Sequence, residues 1–149
     1  MEWDIMMAVN GKGCATAMRE AIRQMIKQPI AESGARGRIV NISSAAGINA
    51  IRREATYAAS MISPPWRCFS ILMIAGININ AVRPGVVRTA QASTNFRDPA
   101  IIAEMRKGTP WPRLGEPIDV ANMVVFLCTN KRRGSEAKIL RLMQGSPWG

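Results

Sequence analysis

The stretch GRIVNISSAAG, from Gly37 to Gly47, decides the fold that we expect for this chain. Its first part, Gly37–Ser43, is a short β-branched run bounded by glycine and serine, which is typical of a strand buried in a parallel sheet. A second run of this kind, GININAV at Gly76–Val82, follows a helical start at Thr56–Met61. Strands that alternate with helices predict an α/β architecture.

Outward from these strands, apolar spacing predicts a helix over Trp3–Gln28, which Gly11 and Gly13 weaken near its start. Proline and glycine predict a loop at Pro29–Arg36, and Pro64-Pro65 should end the helix that begins at Thr56. The rest of the prediction is a loop over Arg83–Asp98 and helices over Pro99–Lys107 and Ile118–Cys128, the last opened by Pro117 and Asp119.

The composition favours one globular domain over residues 1–149. Apolar residues make up 48% and charged residues 20% of the chain, which argues against disorder. The longest apolar candidate, Cys68–Val82, is interrupted by polar residues and glycine, so no membrane span is predicted. The opening MEWDIMMAVN carries Glu2 and Asp4 and does not resemble a targeting signal, so we expect a cytoplasmic protein.

The residue inventory restricts the available chemistry. The chain has three widely spaced cysteines and no histidine, which argues against a metal site and against Ser-His-Asp or Cys-His catalysis. Acid/base chemistry must therefore use tyrosine, lysine or carboxylates. The net charge of +10 raises the alternative of a nucleic-acid binder, but the basic residues form no stripe with aromatics, and we predict no nucleic-acid partner.

Four segments occur in a characteristic order. They are Val9-Asn10, GRIVNISSAAG at Gly37–Gly47, YAASM at Tyr57–Met61, and NAVRPGVVRT at Asn80–Thr89. This order, with Ser44 thirteen residues before Tyr57, resembles the short-chain dehydrogenase/reductase family of nicotinamide-dependent oxidoreductases. TPWPRLGEPIDVANMVVFL, from Thr109 to Leu127, resembles the C-terminal part of the same family.

The resemblance implies a role for each matching residue. Tyr57 would be the general acid/base, Ser44 would orient the substrate oxygen, and Asn10 would complete a proton relay. The nicotinamide carboxamide of NAD or NADP would be met by Pro84, Gly85, the backbone of Val87, and Thr89. The implied partners are a small secondary alcohol or ketone and further copies of the same chain in a homo-oligomer.

Each residue taken singly also has an ordinary structural interpretation. Asn10 would be a polar residue inside a helix, Ser44 part of a turn after a strand, and Tyr57 an amphipathic packing residue. The functional interpretation depends on their combination with the Pro84-Gly85 loop after the second strand.

The sequence departs from the family at two places that matter for chemistry. No G-x-x-x-G-x-G turn is present, so the expected fold is a partial Rossmann-like, doubly wound parallel sheet that lacks the family's N-terminal β-α-β half. Met61 occupies the position of the family's lysine, whose charge stabilises the tyrosinate. Lowering a phenol pKa from ~10 to neutrality requires about 4 kcal/mol, at ~1.4 kcal/mol for each unit.

Residues 61–75 and 130–149 are atypical of the family. Back-translated with suitable synonymous codons and read one base earlier, Ser135–Gln144 with its flanking bases gives IRGENLAIDAG, which resembles the family's last strand. Residues 61–75 shifted in the same way give a proline-free helical pattern. We therefore hypothesise two out-of-frame segments, which the nucleotide sequence would test; genuine divergence is the alternative.

The sequence as a whole predicts an oxidoreductase lineage in which hydride passes between nicotinamide and a secondary alcohol or ketone. The neutral side chain of Met61 and the lack of a dinucleotide-binding turn predict impaired activity. The alternative is a catalytically inactive remnant that serves in binding or oligomerisation.

Overall fold

A computed structural model provides the architecture. It describes residues 2–48, 54–62, 76–90, 92, 97, 99–100, 102–103, 113–129 and 139–142. In these residues, no helix is long and apolar enough to cross a membrane.

The N-terminal helical run is continuous but not uniform. It comprises helix α1 (Glu2–Met6), a π-helical segment (Met7–Gly13) and helix α2 (Cys14–Met25). The single helix predicted over Trp3–Gln28 is thus confirmed in extent to within a few residues, but its middle is π-helical. This π-helical segment contains Gly11 and Gly13, which are poor α-helix formers and tolerate irregular backbone.

Three parallel strands form one sheet in the order β1-β2-β3. Strand β1 (Gly37–Ile42) pairs with β2 (Ile77–Pro84), with Ile39 opposite Ile79, and β2 pairs with β3 (Ile139–Leu142). The predicted parallel α/β fold is confirmed. The atypical tail as written supplies a third strand, which the sequence analysis did not predict and which pairs with Ala81–Pro84.

The core forms where α2 packs on the sheet. Met18 of α2 is buried against Ile77 and Ile79 of β2, and three half-buried side chains complete the cluster: Ile22, Met25 and Ile39. The helical spacing of Met18, Ile22 and Met25 places them on one face of α2, which explains why this face meets the sheet. Burial of Ile77, which is 0% exposed, contributes roughly 1.5–3 kcal/mol.

Two further helices lie near the carboxyl end of the sheet. After β1, a 3-10 turn (Ala45–Gly47) precedes helix α3 (Ala55–Ile62), and helix α4 (Pro117–Cys128) packs against β1 and β2. The predicted helices at Thr56–Met61 and Ile118–Cys128 are therefore confirmed. Of the predicted helix over Pro99–Lys107, residues 99–100 and 102–103 are helical and the others lie outside the described residues, as do Pro64 and Pro65.

Gly76 sets the start of β2. Its φ of 74° lies in the left-handed region, which strains residues with a side chain, and its carbonyl accepts a hydrogen bond from the Arg36 N–H at 2.7 Å. The loop before β1 is thus tied to the residue before β2, so that the two strands begin level at Gly37 and Ile77.

Candidate active site

Parallel pairing brings the loops after β1 and β2 to the same edge of the sheet. The Ser43 N–H donates to the Val82 carbonyl at 2.9 Å, one residue past the end of β1. Ser44 and the Pro84-Gly85 loop therefore leave neighbouring strands at the same end. The carboxyl ends of parallel strands are the usual place for ligand sites in open α/β sheets.

Ser44 sits at the bend between β1 and the 3-10 turn. Its backbone is extended and its hydroxyl oxygen accepts a hydrogen bond from the Ala46 N–H at 3.2 Å. The hydroxyl hydrogen is not used by this bond, so the side chain retains a donor for a substrate oxygen. The turn interpretation of Ser44 and its predicted role as substrate orienter are compatible in this geometry.

Tyr57 lies in the first half of α3 and faces the N-terminal helical run. It lines a cleft of about 250 Å³ together with Asn10 and Met61. The remaining wall of this cleft is apolar and consists of Ile5, Met6 and Val9. The structure thus brings together Asn10 and Tyr57, two of the three predicted catalytic residues, and places Met61 beside them.

Asn10 lies inside the π-helical segment Met7–Gly13. Single π turns inside α-helices are rare and occur frequently at functional sites. The Asn10 side chain turns toward α3, where its Nδ2 donates to the hydroxyl of Ser60 at 3.0 Å. Asn10 is therefore not merely a polar residue inside a helix, because it connects two segments that lie fifty residues apart.

Helix α3 is held by two serine side chains that the sequence did not single out. Ser60 donates to the carbonyl of Tyr57 at 2.8 Å, and Ser43 donates to the carbonyl of Met61 at 2.9 Å. Met61 lies in the last turn of α3, where helix carbonyls have no intrahelical N–H partner, and Ser43 supplies a donor to one of them. The only sequence signal was their position, Ser60 three residues after Tyr57 and Ser43 directly before Ser44.

The predicted nicotinamide contacts follow β2. Val87 pairs with Gly115 in a parallel bridge, in which the Arg88 N–H donates to the Gly115 carbonyl and the Gly115 N–H donates to the Val86 carbonyl. In such a bridge the N–H and C=O of Val87 itself point away from Gly115. The N–H and C=O of Val87 are therefore not used in its pairing with Gly115.

Thr89 lies on the exposed surface just past this bridge, and its hydroxyl accepts from the Ala92 N–H at 3.3 Å. Pro84 ends β2 and Gly85 follows it at the carboxyl edge. The structure therefore places all four predicted cofactor residues in one continuous segment, which runs from the end of β2 to Thr89. None of them lines the cleft of Tyr57.

A charged cluster fixes the segment that carries Gly115. Arg113 makes a bidentate pair with Asp119, with both N–O distances at 2.8 Å, and the Asp119 carboxylate also accepts from the Glu116 N–H at 2.7 Å. The Arg113 guanidinium, followed by this backbone N–H, lowers the pKa of Asp119 to about 2. Asp119 thus stays ionised at neutral pH and keeps the start of α4 in place next to Gly115, which pairs with Val87.

The thiol of Cys14, at the start of α2, is a further nucleophilic group in the described part of the chain. Its thiol donates to the Oδ1 of Asn41 at 3.6 Å, and burial raises the pKa of the Cys14 thiol. A higher thiol pKa reduces the thiolate fraction at neutral pH, and the thiolate is the reactive form. Cys14 is therefore suited to packing against β1 and not to covalent catalysis.

Comparisons with known proteins give the family of this chain. Residues 1–145 match the family model described as Enoyl-(Acyl carrier protein) reductase. A short-chain type dehydrogenase/reductase from Picea abies is 32% identical over 97% of this chain and 52% of its own length. The chain belongs to the short-chain dehydrogenase/reductase family. It therefore has part of the Rossmann-type fold of that family, as the sequence predicted.

Other members of the family extend the comparison. The 3-oxoacyl-[acyl-carrier-protein] reductase of Aquifex aeolicus is 30% identical over 87% of this chain and 50% of its own length. The solved short-chain type dehydrogenase/reductase of Mycobacterium ulcerans superposes with a TM-score of 0.84 at 25% identity, covering 94% of this chain and 50% of the other. The chain thus spans about half the length of the relatives that it matches.

Proposed function

We propose that the chain carries the acid/base and nicotinamide-facing part of an NAD(P)-dependent oxidoreductase that interconverts a secondary alcohol and a ketone. The observation that carries this proposal is the meeting of Asn10 and Tyr57 in one cleft, with Ser44 on the adjoining turn. The relatives named as dehydrogenases and reductases support the reaction class.

Tyr57 is the group that moves the proton. In the reductive direction its hydroxyl gives a proton to the substrate oxygen, and in the oxidative direction its phenolate accepts one from the alcohol. Ser44 donates a hydrogen bond to the same substrate oxygen and orients it. Asn10 holds the relay side of the cleft through its bond to Ser60.

The nicotinamide of NAD or NADP supplies or accepts the hydride when it is bound. Pro84, Gly85, the backbone of Val87 and Thr89 would hold its carboxamide end. The orientation of the Val87 peptide groups supports this assignment. The clamp formed by Gly115 and the Arg113–Asp119 pair keeps this loop in the required conformation.

We further propose that proton transfer is impaired in this chain. Met61 lies one helical turn after Tyr57 and lines the same cleft, where a thioether provides no positive charge. An opposite charge within ~4–6 Å stabilises an ionised group by about one to three pKa units, and this stabilisation is missing. Met61 therefore cannot offset the negative charge that develops on the Tyr57 oxygen during proton transfer.

Titration with NADH and NADPH tests both parts of the proposal. The chain contains four tryptophans, whose fluorescence the reduced nicotinamide should quench saturably in the micromolar range. In the same samples, oxidation of the reduced cofactor by a ketone panel should stay close to background. Rapid turnover would contradict the impairment, whereas absence of quenching would contradict the cofactor assignment.

An alternative function is an inactive remnant used for oligomerisation. One observation favours it: the first helical run exposes Trp3, Ile5 and Val9, with 52%, 59% and 64% of their surfaces accessible. Sedimentation analysis of the parent chain and of Ile5→Glu/Val9→Glu would test it. Oligomers that this variant dissociates, together with absent cofactor quenching, would support the alternative.

A further inference from the structure

Ser60 occupies a position that none of the proposed roles explains. Its side chain is 0% exposed and lies between α3 and the π-helical segment Met7–Gly13. Its oxygen accepts from the Nδ2 of Asn10 at 3.0 Å, and its hydrogen is donated to the carbonyl of Tyr57 at 2.8 Å. One hydroxyl therefore joins the two residues assigned to proton transfer.

The direction of these two bonds has a consequence for Asn10. Because the Ser60 hydrogen is committed to Tyr57, the Ser60 oxygen can only accept on the side that faces Asn10. This requires the NH₂ end of the Asn10 carboxamide to face Ser60, and it turns the Oδ1 end to the opposite side. Ser60 thus fixes the orientation of the Asn10 carboxamide, with the NH₂ end toward Ser60 and the Oδ1 end away from it.

The bonds also set the helix position. Through its bond to the carbonyl three residues earlier, the Ser60 side chain is tied to the backbone of its own helical turn. That turn begins at Tyr57, and its other neighbour is Asn10 across the interface. A displacement of Ser60 would therefore move Tyr57 and release Asn10 together.

We propose that Ser60 is the positioning residue of the acid/base site, which fixes the orientation of the Asn10 carboxamide relative to the turn that carries Tyr57. The proposal rests on the proposed function for the roles of Asn10 and Tyr57. Ser60 itself touches neither substrate nor cofactor in this assignment. Its effect is transmitted entirely through the two hydrogen bonds.

The experiment uses the fact that Tyr57 is the only tyrosine in the chain. Incorporation of fluorotyrosine gives one fluorine NMR resonance, which reports the surroundings of the Tyr57 ring without any cofactor. The resonance is measured for the parent, Asn10→Ala, Ser60→Ala and the double variant. Circular dichroism confirms that each variant remains folded.

We expect both single variants to shift the resonance, and the double variant to shift it no further than the larger single change. Such non-additivity identifies residues that act through a shared contact. Ser43→Ala is the matched control, because it removes a serine bond to the same helix, at the Met61 carbonyl, without touching Asn10. Its shift should add to that of Asn10→Ala.

Two results would overturn the proposal: an unchanged resonance in Ser60→Ala, or additive shifts of Asn10→Ala and Ser60→Ala. If Ser60→Ala fails to fold, Ser60→Cys decides, since its thiol is a weaker donor and acceptor and should give an intermediate shift. The outcome is independent of the cofactor titration. Retained coupling without NADPH quenching would refute only the proposed function, and quenching without coupling would refute only the role of Ser60.

Discussion

Helices α3 and α4 lie near the same end of the sheet but are held in opposite ways. The start of α4 is fixed by neighbours in sequence: Pro117 opens it, Asp119 accepts from the Glu116 N–H, and Arg113 pairs with Asp119. Helix α3 is fixed by Asn10 and Ser43, which come from distant segments. The start of α4 is therefore specified by residues close to it in sequence, whereas α3 depends on the assembled fold for its position.

The largest effect is expected when both tertiary bonds of α3 are removed. In Ser43→Ala/Ser60→Ala, the Met61 carbonyl and the Asn10 amide lose their partners, at a cost of about 1–3 kcal/mol each. Hydrogen exchange should accelerate in α3 much more than in α4. Thr129→Ala is the control, because it removes an exposed hydroxyl bond to the Phe126 carbonyl and should change little. Equal exchange rates of α3 in the double variant and in the parent would refute the dependence of α3 on these two bonds.

The next effect concerns charge near Tyr57. In Met61→Lys, an ammonium group one turn from the phenol should lower the midpoint of tyrosinate formation by about 1 pH unit. Ultraviolet difference absorbance measures this midpoint without ambiguity, because the chain has one tyrosine. Met61→Gln is the uncharged control of similar length and should leave the midpoint within error of the parent. A midpoint common to all three proteins would show that residue 61 does not act on the phenol.

A smaller effect is expected for the Arg113–Asp119 pair at the start of α4, and this effect should depend on pH. The pKa of Asp119 is lowered to about 2 by Arg113 and the Glu116 N–H, from an ordinary value of 3.8. A lowered carboxyl pKa contributes stability above the ordinary value, and this contribution disappears as the pH falls toward 2. Asp119→Asn should therefore destabilise the chain at pH 7 and not at pH 2. Thermal melts that show the same loss at both pH values would contradict the ion-pair origin.

The smallest effect is expected at the ion pair between Arg88 and Glu116, whose Nε and Oε1 lie 3.4 Å apart. Both side chains are about half exposed, so the pair contributes only about 0–1 kcal/mol. Glu116→Gln should lower the melting temperature slightly in low salt, and the difference should vanish in high salt. A large, salt-independent loss would mean that Glu116 has a structural role beyond this pair.

Much of the fold could be predicted because its signals are local. The signals at the β-branched runs Gly37–Ser43 and Gly76–Val82, and at Pro117 and Asp119 in the first turn of α4, depend on neighbouring residues alone. The third strand, Ile139–Leu142, was missed because its tail does not resemble the family. A short strand is stabilised mainly by the partner it pairs with, and here that partner, β2, lies more than fifty residues earlier.

The order and spacing of four motifs were sufficient by themselves to determine the family and the parallel α/β architecture. The sequence also showed that an uncharged residue, Met61, lies four positions after Tyr57. Only the tertiary structure decided how Asn10 meets Ser60, how Ser43 supports α3, and how Gly115 holds the loop at Val87. The physical reason is the distance along the chain over which each kind of interaction acts. Propensities and caps act within one or two helical turns, whereas a hydrogen bond between distant segments exists only after the sheet has brought them within about 3 Å.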